Sequence, residues 1–339
     1  KPNKNLMSDG TACHRINRSY ISWYYCLYRL SNMKLYKYMP LRKEFFEDPL
    51  LRLTPPSALN DPFDSKPTDS GIERKSIFFF EPDPLDDENI SSQKQKEYYK
   101  RDLEYGLEQY GIISLTENPY SLLMWAHYAD EHRGMVVELS CDASTFNYHD
   151  KYTETCGVSK KIPTRVIYSS RRPGYELPDD VIYDYYEDKF FTHYALIKGD
   201  DWIYEKEHRY ILRENELDAV IFDVGSHESI VELQHEHLVI TCINGLTYKV
   251  TARTQAFSGH LHWWLCLAEG KGLVYNAKIF KRVNKNSIKS IYFGCKVAAN
   301  QVEEMKSTIL KSQFINHDIP LFKAFADKNR FEINFELLK

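Results

Sequence analysis

Two glutamates two residues apart are the clearest sign of chemistry in this sequence. Residues 202–212 are predicted to form a β-strand, in which Glu205 and Glu207 project from the same face. Two carboxylates at that spacing repel each other unless a cation or a function compensates them. Paired carboxylates can stabilise an oxocarbenium-like ribose and orient a nucleophile, as in glycoside cleavage. An equally open interpretation is an exposed strand edge, in which Arg209 pairs with Glu207 and contributes little to stability.

A short aromatic helix within residues 121–139 is the element around which the chain is predicted to be organised. Trp125 and Tyr128 are three residues apart and therefore share a helix face, with His127 beside them. Gly134 follows at the usual place of a helix C-cap, before a short apolar strand. Core packing is the commoner use of such aromatic residues. The alternative is that Tyr128 and His127 form the wall of a pocket whose other wall carries the two glutamates.

Two further segments are candidates for binding a ligand. Lys37 lies between Tyr36 and Tyr38 in a strand predicted over residues 34–39, and a cation flanked by aromatic rings can hold a phosphate or a ribose hydroxyl. A lone surface lysine more commonly faces solvent. Asn60 begins the sequence Asn-Asp-Pro-Phe, which predicts either a rigid loop lining a pocket or a purely structural turn.

The histidines give only a weak metal signal. The pairs His235/His237 and His260/His262 would each place two imidazoles on one strand face, as metal ligands sometimes lie. Neither pair has a third ligand at convincing spacing, so we expect no metal, and a metal-dependent nuclease stays a minor alternative. The sequence also contains no CxxC, no GxGxxG, no P-loop, no GxSxG and no HExxH.

Composition indicates an ordinary globular chain. Of 339 residues, 43% are hydrophobic and 27% charged, and the net charge of −4 gives no overall basic field for nonspecific nucleic-acid binding. The cysteine spacing suggests reduced thiols in a cytoplasmic protein, and no apolar run approaches the roughly 20 residues that span a bilayer. We predict a non-native or disordered extension over residues 1–32, with Met33 as the natural start. Residues 33–339 then form one domain with a divergent insertion at about 214–286.

Several motifs in order along the chain resemble a bacterial family known as Domain of Unknown Function 2971. Its members tend to carry LYKYR, NDPF, MWxHYA and WxYExExR. The corresponding segments here are LYKY at 35–38, NDPF at 60–63, MWAHYA at 124–129 and WIYEKEHR at 202–209, with Ser114 between the second and the third. The strand and helix after residue 288 also resemble the C-terminal part of the family. Met39 stands where the family usually has arginine, which removes any role of that guanidinium here.

The layout of this family is similar to that of ADP-ribosyltransferase-like domains. The resemblance implies an α+β fold of mixed, mainly antiparallel sheets with flanking helices. It places Lys37 at the first functional position, Ser114 with Tyr128 at the second, and Glu205 or Glu207 at the third. It further implies NAD as co-substrate and a macromolecular acceptor of ADP-ribose, as in a toxin or an anti-phage effector.

The resemblance also assigns roles to the candidate residues. Lys37, with Tyr36, Asn60 and Ser114, would hold NAD, and Trp125 or Tyr128 would stack on nicotinamide beside His127. Glu207 would stabilise the positive charge that develops on the ribose, and Glu205 would orient the acceptor. A non-catalytic module that binds a ligand or partner along the aromatic helix is the alternative.

Overall fold

A computed structural model describes residues 33–79, 92–147, 162–174, 176–183 and 188–338. The predicted extension over residues 1–32 lies outside the described residues. Within the described part, none of the helices is long and apolar enough to cross a membrane.

The fold is α+β, with mixed, mainly antiparallel sheets and several helices, as the sequence predicts at this level. The strands are β1 Met33–Met39, β2 Leu50–Leu53, β3 Tyr110–Thr116, β4 Met135–Cys141, β5 Thr164–Arg165, β6 Ile167–Ser169, β7 Ile197–Gly199, β8 Glu207–Arg213, β9 Ala219–Asp223, β10 Leu238–Asn244, β11 Thr247–Ala252, β12 Tyr275–Arg282, β13 Ile288–Phe293, β14 Leu321–Ala326 and β15 Ile333–Leu337. The helices are α1 Lys43–Glu47, α2 Asp69–Phe79, α3 Ser92–Glu108, α4 Leu122–Tyr128, α5 Asp179–Ile182, α6 Asp188–Ala195, α7 Ser229–Leu233, α8 Gly259–Gly270 and α9 Ala299–Lys311. Short 3₁₀ turns cover Pro56–Ala58, Asp200–Glu205, Glu214–Glu216, Gln255–Phe257 and Lys285–Ser287.

The central sheet brings the predicted functional segments onto neighbouring strands. Its eight strands run in the order β15-β14-β13-β4-β1-β3-β8-β5, and β13 and β14 pair in parallel because α9 connects them as a crossover. Strands β3 and β4 flank β1 within this sheet, and nearly all of their residues are buried. Because β1, β3 and β8 are adjacent, the lysine of β1, the serine of β3 and the first glutamate of β8 lie close together.

A second, five-stranded sheet has the order β10-β11-β9-β12-β2. Four of its strands come from the predicted insertion at 214–286, and β2 completes its edge. Alternating residues of β2, Leu51 and Leu53, point into a core that also holds Val220, Val250 and Tyr210. A backbone bridge between Thr54 and Ile112 joins this sheet to the central one. The two sheets therefore share one hydrophobic core.

The aromatic helix α4 differs from the prediction at its C-terminal end. It begins as predicted after Ser121, whose hydroxyl accepts from the Met124 amide at 3.4 Å, but it ends at Tyr128, with Ala129 as its cap residue. The chain then takes left-handed backbone conformations at residues 130–132. Gly134 is therefore not the C-cap. It lies where its backbone passes so close to β1 that an added Cβ would meet the Met39 carbonyl oxygen at 2.3 Å.

The aromatic segment at residues 179–195 contains two separate helices, α5 and α6, and residues 184–187 between them lie outside the described part.

Replacing Gly134 by alanine is expected to lower the free energy of unfolding by about 3 kcal/mol, because the new methyl group meets backbone atoms that cannot rotate away. Chemical denaturation measures the change. Gly259→Ala at the start of α8 is the matched control: nothing lies within 4 Å of its added Cβ, so stability should stay within about 0.5 kcal/mol of the original protein. Equal stabilities for the two variants would contradict the close approach at Gly134.

Candidate active-site cleft

A cleft of about 370 Å³ opens where the two sheets meet. Residues of β1, β2, β3, α4 and the loop at 58–64 line it, together with Lys198 and the first residues of β8. Seven residues that the sequence singled out are among those lining this cleft: Tyr36, Lys37, Asn60, Ser114, Tyr128, Glu205 and Glu207. Segments far apart in sequence are thus brought together at one place.

The two glutamates meet in the cleft, although not by the predicted strand geometry. Glu205 ends a 3₁₀ turn, Lys206 adopts a left-handed conformation with φ of 45°, and β8 begins only at Glu207. The prediction of one strand over 202–212 is therefore wrong before Glu207. The turn is held in place because the Thr116 hydroxyl donates to the backbone oxygen of Glu205 at 2.5 Å. The reversal at Lys206, rather than strand alternation, places the two carboxylates side by side.

Lys198 at the centre of β7 bridges the two carboxylates. Its ammonium donates to Glu205 Oε2 at 2.6 Å and to Glu207 Oε2 at 3.3 Å, and it lies 3.6 Å from Asp64 Oδ2. All four side chains are buried. Burial opposes the charged form of Lys198, yet the surrounding carboxylates, Glu207 foremost, raise its pKa above the ordinary value. This cation therefore offsets the repulsion that the sequence implied for the pair.

Arg209 is the second cation of the cluster, and it is almost completely buried. Its Nε donates to Glu207 Oε1 at 2.7 Å and Nη2 to Glu207 Oε2 at 2.9 Å, which is a bidentate pair. Nη1 and Nη2 also donate to the two oxygens of Asp64 at 2.7 and 2.6 Å. Nη1 donates in addition to the Ala195 carbonyl at 2.7 Å. The predicted pairing of Arg209 with Glu207 is thus present, but deep in the protein rather than at an exposed edge.

These cations keep Glu207 ionised. Burial by itself would raise the pKa of Glu207, but the positive charges of Arg209 and Lys198 outweigh it and lower the pKa to about 2. At neutral pH the carboxylate is therefore a fixed negative charge at the wall of the cleft.

A hydrogen-bonded chain leads from the loop at Asn60 to Glu205. Asn60 Nδ2 donates to the Tyr128 hydroxyl at 3.0 Å, and that hydroxyl donates to Glu205 Oε1 at 2.5 Å. Burial, together with the charge of Glu205, raises the pKa of Tyr128 far above its ordinary value. Tyr128 is therefore protonated at neutral pH and acts as a donor, so it orients Glu205 and leaves no phenolate to act as a base.

Lys37 reaches the cleft from β1. Its ammonium donates to the backbone oxygen of Ser114 at 2.9 Å, so the contribution of Ser114 to this contact is its carbonyl and not its hydroxyl. Burial lowers the pKa of Lys37 to about 8, although the charge of Glu207 opposes the shift. Tyr36 lines the cleft beside it, while its ring packs edge-on against Tyr292 with centroids 6.1 Å apart.

Two of the predicted ligand contacts do not line the cleft. Trp125 is 0% exposed, its indole N–H donates to the Pro119 carbonyl at 2.8 Å, and its ring packs against Tyr38. Trp125 therefore does not have the predicted position for stacking on a ligand, because its ring is part of the core. His127 is exposed and has Tyr204 as a ring neighbour at 6.5 Å. Although Trp125 and Tyr128 lie on the same face of the helix, Trp125 is packed in the core and Tyr128 lines the cleft.

Sequence reasoning missed Asp64, Lys198, Arg42 and Arg52, which also line the cleft. Asp64 directly follows the Asn-Asp-Pro-Phe loop, so its position beside a candidate loop was a usable signal. The other three carry no local pattern that separates them from ordinary surface cations.

The histidine pairs are not arranged as a strand-face metal site. His260 and His262 lie on helix α8, where residues two apart do not face each other. In the described ranges, no group of three His, Cys, Asp or Glu side chains is placed to hold a metal ion. The predicted nuclease alternative therefore gains no support from the histidines.

Comparison with known proteins shows that one segment of the chain is similar to a protein family. Residues 124–210 match the model of a family described as "Protein of unknown function (DUF2971)". The match confirms the family resemblance inferred from the sequence over a segment that includes most of α4, Lys198 and the start of β8. No curated protein and no solved structure matches the chain.

Replacing Arg209 by methionine is expected to lower the free energy of unfolding by about 3–5 kcal/mol, because Asp64 and Glu207 lose a buried partner. Chemical denaturation measures the loss. Arg330→Met is the control, since Arg330 is 74% exposed and its ion pair with Glu332 at 3.8 Å contributes little. A loss below about 1 kcal/mol for Arg209→Met would show that the charge cluster does not stabilise the fold.

The lowered pKa of Glu207 predicts that the stability of the protein depends on pH. The pKa of this carboxylate is about 2 in the folded protein against an ordinary value of 4.5, so its contribution is complete above pH 4.5 and is lost as the pH falls towards 2. The stability difference between the original protein and Glu207→Gln should therefore shrink across that window. Urea denaturation at a series of pH values measures it, with Glu303→Gln, an exposed position on α9, as control. A difference that stays constant from pH 6 to pH 2.5 would contradict the assigned role.

Proposed function

We propose that the cleft binds NAD or a related nucleotide and that the protein is an ADP-ribosyltransferase-like enzyme that cleaves the nicotinamide–ribose bond. The observation that carries the proposal is the convergence of Lys37, Asn60, Ser114, Tyr128 and the two glutamates on one cleft, with Glu207 ionised. The side chains suit a nucleotide, because cations, an amide and carboxylates are available for phosphates, base and ribose.

In the proposed reaction the C1′–N bond of NAD breaks and its electron pair goes to the nicotinamide nitrogen. The ribose is left with oxocarbenium character, and the ionised carboxylate of Glu207 stabilises that positive charge. A nucleophile of the acceptor then bonds to C1′ and releases its proton. Glu205, held in position by the protonated hydroxyl of Tyr128, orients this nucleophile.

The adjacency of the three strands supports the functional order that the family resemblance implies. Lys37 lies on β1, Ser114 on β3 and Glu207 at the start of β8, and these strands are neighbours in the central sheet. An ADP-ribosyltransferase-like fold is part of the proposal on that ground. The acceptor that we propose is a macromolecule, and the setting is that of a cytoplasmic toxin or anti-phage effector.

A non-catalytic binding module is the second candidate, and one observation favours it. Both oxygens of Glu207 already accept hydrogen bonds from Arg209, and Lys198 lies beside them. A carboxylate so fully compensated stabilises an additional positive charge less than a free one does. This candidate predicts that NAD, nucleotides or RNA raise the melting temperature without turnover.

The test is incubation of the protein with NAD labelled in the adenylate part, together with cell lysate. We expect release of nicotinamide and transfer of label, and Glu207→Gln should lower both about 100-fold or more, because the charge opposite the ribose is lost. Tyr128→Phe keeps the ring and removes the hydroxyl that donates to Glu205 and accepts from Asn60, so label transfer should fall more than nicotinamide release. Glu303→Gln is the control and should match the original protein.

Melting temperatures of all variants are recorded, because Glu207→Gln weakens a buried ion pair. Activity that is unchanged in folded Glu207→Gln would reject the proposed role of this carboxylate. Ligand-induced stabilisation without nicotinamide release would establish the binding module instead.

A further inference from the structure

Three more cations line the cleft and, unlike Lys198 and Arg209, they have no ion pair with a carboxylate in the described part of the chain. Within the described residues, Lys37, Arg42 and Arg52 form no ion pair, and the ammonium of Lys37 donates only to the Ser114 carbonyl. By contrast, the other two cations bind three carboxylates between them. Among the described residues, the cleft thus contains two cations that are ion-paired with carboxylates and three that are not.

The three unpaired cations are close enough to influence one another. Burial is the main cause that lowers the pKa of both Lys37 and Arg52, and the charge of Arg42 lowers both further, although the charge of Glu207 opposes the shift at Lys37. Like charges held together in a partly enclosed cleft destabilise the empty protein, and an anion between them removes that repulsion.

Arg52 also has a hydrogen-bond donor that lacks an acceptor among the described residues. Its Nε atom is buried and has no hydrogen-bond partner among the residues that the structure describes. A buried donor without an acceptor destabilises the empty protein, so a ligand whose binding lets the Arg52 guanidinium turn and give this N–H an acceptor removes that cost. The guanidinium is also the side chain best matched to a group with several oxygens, because its N–H donors form a planar fork.

The backbone under these cations is rigidly held. Arg52 lies in β2 between two buried leucines, and its register is fixed opposite Phe280 of β12. Lys37 lies in β1, which pairs along its whole length with β4. Arg42 immediately precedes α1 as its N-cap residue. Charged groups placed on strands and at a helix start are better oriented for a ligand than groups on a long loop.

We propose that Lys37, Arg42 and Arg52 form a subsite for a phosphate group. The proposal deepens the proposed function and rests on it only for the position of the ligand, since a phosphate subsite requires a phosphorylated ligand but not its cleavage. Two sources share this chemistry: the phosphates of a nucleotide, and free inorganic phosphate.

Isothermal titration calorimetry with four probes tests the subsite: ADP-ribose, ADP, inorganic phosphate and adenosine. We expect ADP-ribose and ADP to bind at least tenfold more tightly than adenosine. Arg42→Gln and Arg52→Gln should each lower the affinity for ADP-ribose about tenfold, which corresponds to about 1.4 kcal/mol. The affinity for adenosine should stay unchanged in both variants. Arg52→Lys, which keeps the charge, should recover part of the loss. Arg330→Gln, an exposed position outside the cleft lining, is the control.

Arg42 is exposed, so its variant is expected to fold even if Arg52→Gln does not. Inorganic phosphate that competes with ADP, and loses affinity in the same variants, would support the subsite and identify free phosphate as a sufficient ligand. Adenosine binding as tightly as ADP, no binding of any phosphorylated probe, or unchanged affinities in Arg42→Gln and folded Arg52→Gln would each overturn it.

The result is separable from that of the NAD assay. Weakened ADP-ribose binding in the arginine variants without NAD cleavage would retain the subsite and reject the reaction. Cleavage of NAD with unaltered KM in both variants would retain the reaction and reject the subsite.

Discussion

The buried guanidinium of Arg209 is the interaction on which the cleft depends. An arginine cannot lose its charge in a protein, so every N–H that leaves water needs an acceptor inside. Those acceptors come from three separate parts of the chain: Glu207 on the same strand, Asp64 in the loop after the Asn-Asp-Pro-Phe segment, and the Ala195 carbonyl at the end of α6. The hydrogen bonds of this one guanidinium therefore hold a strand, a loop and a helix end in fixed positions relative to one another.

The ion pairs of Lys198 and Arg209 leave two regions of opposite charge along the cleft. Lys198 and Arg209 face the carboxylates of Asp64, Glu205 and Glu207, so two formal positive charges meet three negative ones and the cluster has one negative charge in excess. The unpaired cations of the proposed phosphate subsite line the same cleft. A ligand with a developing positive centre and an attached phosphate complements both groups of charges, which an uncharged ligand does not.

The sequence predicted the residues of the cleft better than their geometry. The strand predicted over residues 34–39 is present as β1 and carries Lys37, because short strands of this kind can be recognised from local residue types. The meeting of the two glutamates was also predicted, but through a strand that does not extend to Glu205. A left-handed Lys206 and a bridging Lys198 could not be inferred, since neither follows from local propensity. Tyr128 and Trp125 share a helix face, and only tertiary packing decides which of them is buried.

Long-range strand pairing explains why Arg52 was missed. Its own segment shows a short strand with buried leucines on alternate positions, but nothing local indicates that β2 pairs with β12, far along the chain. That pairing, together with the Thr54–Ile112 bridge, holds Arg52 between the two sheets and at the edge of the cleft. The strands contributed by residues 214–286 therefore do more than extend the molecule. They supply the support on which one side of the cleft is built.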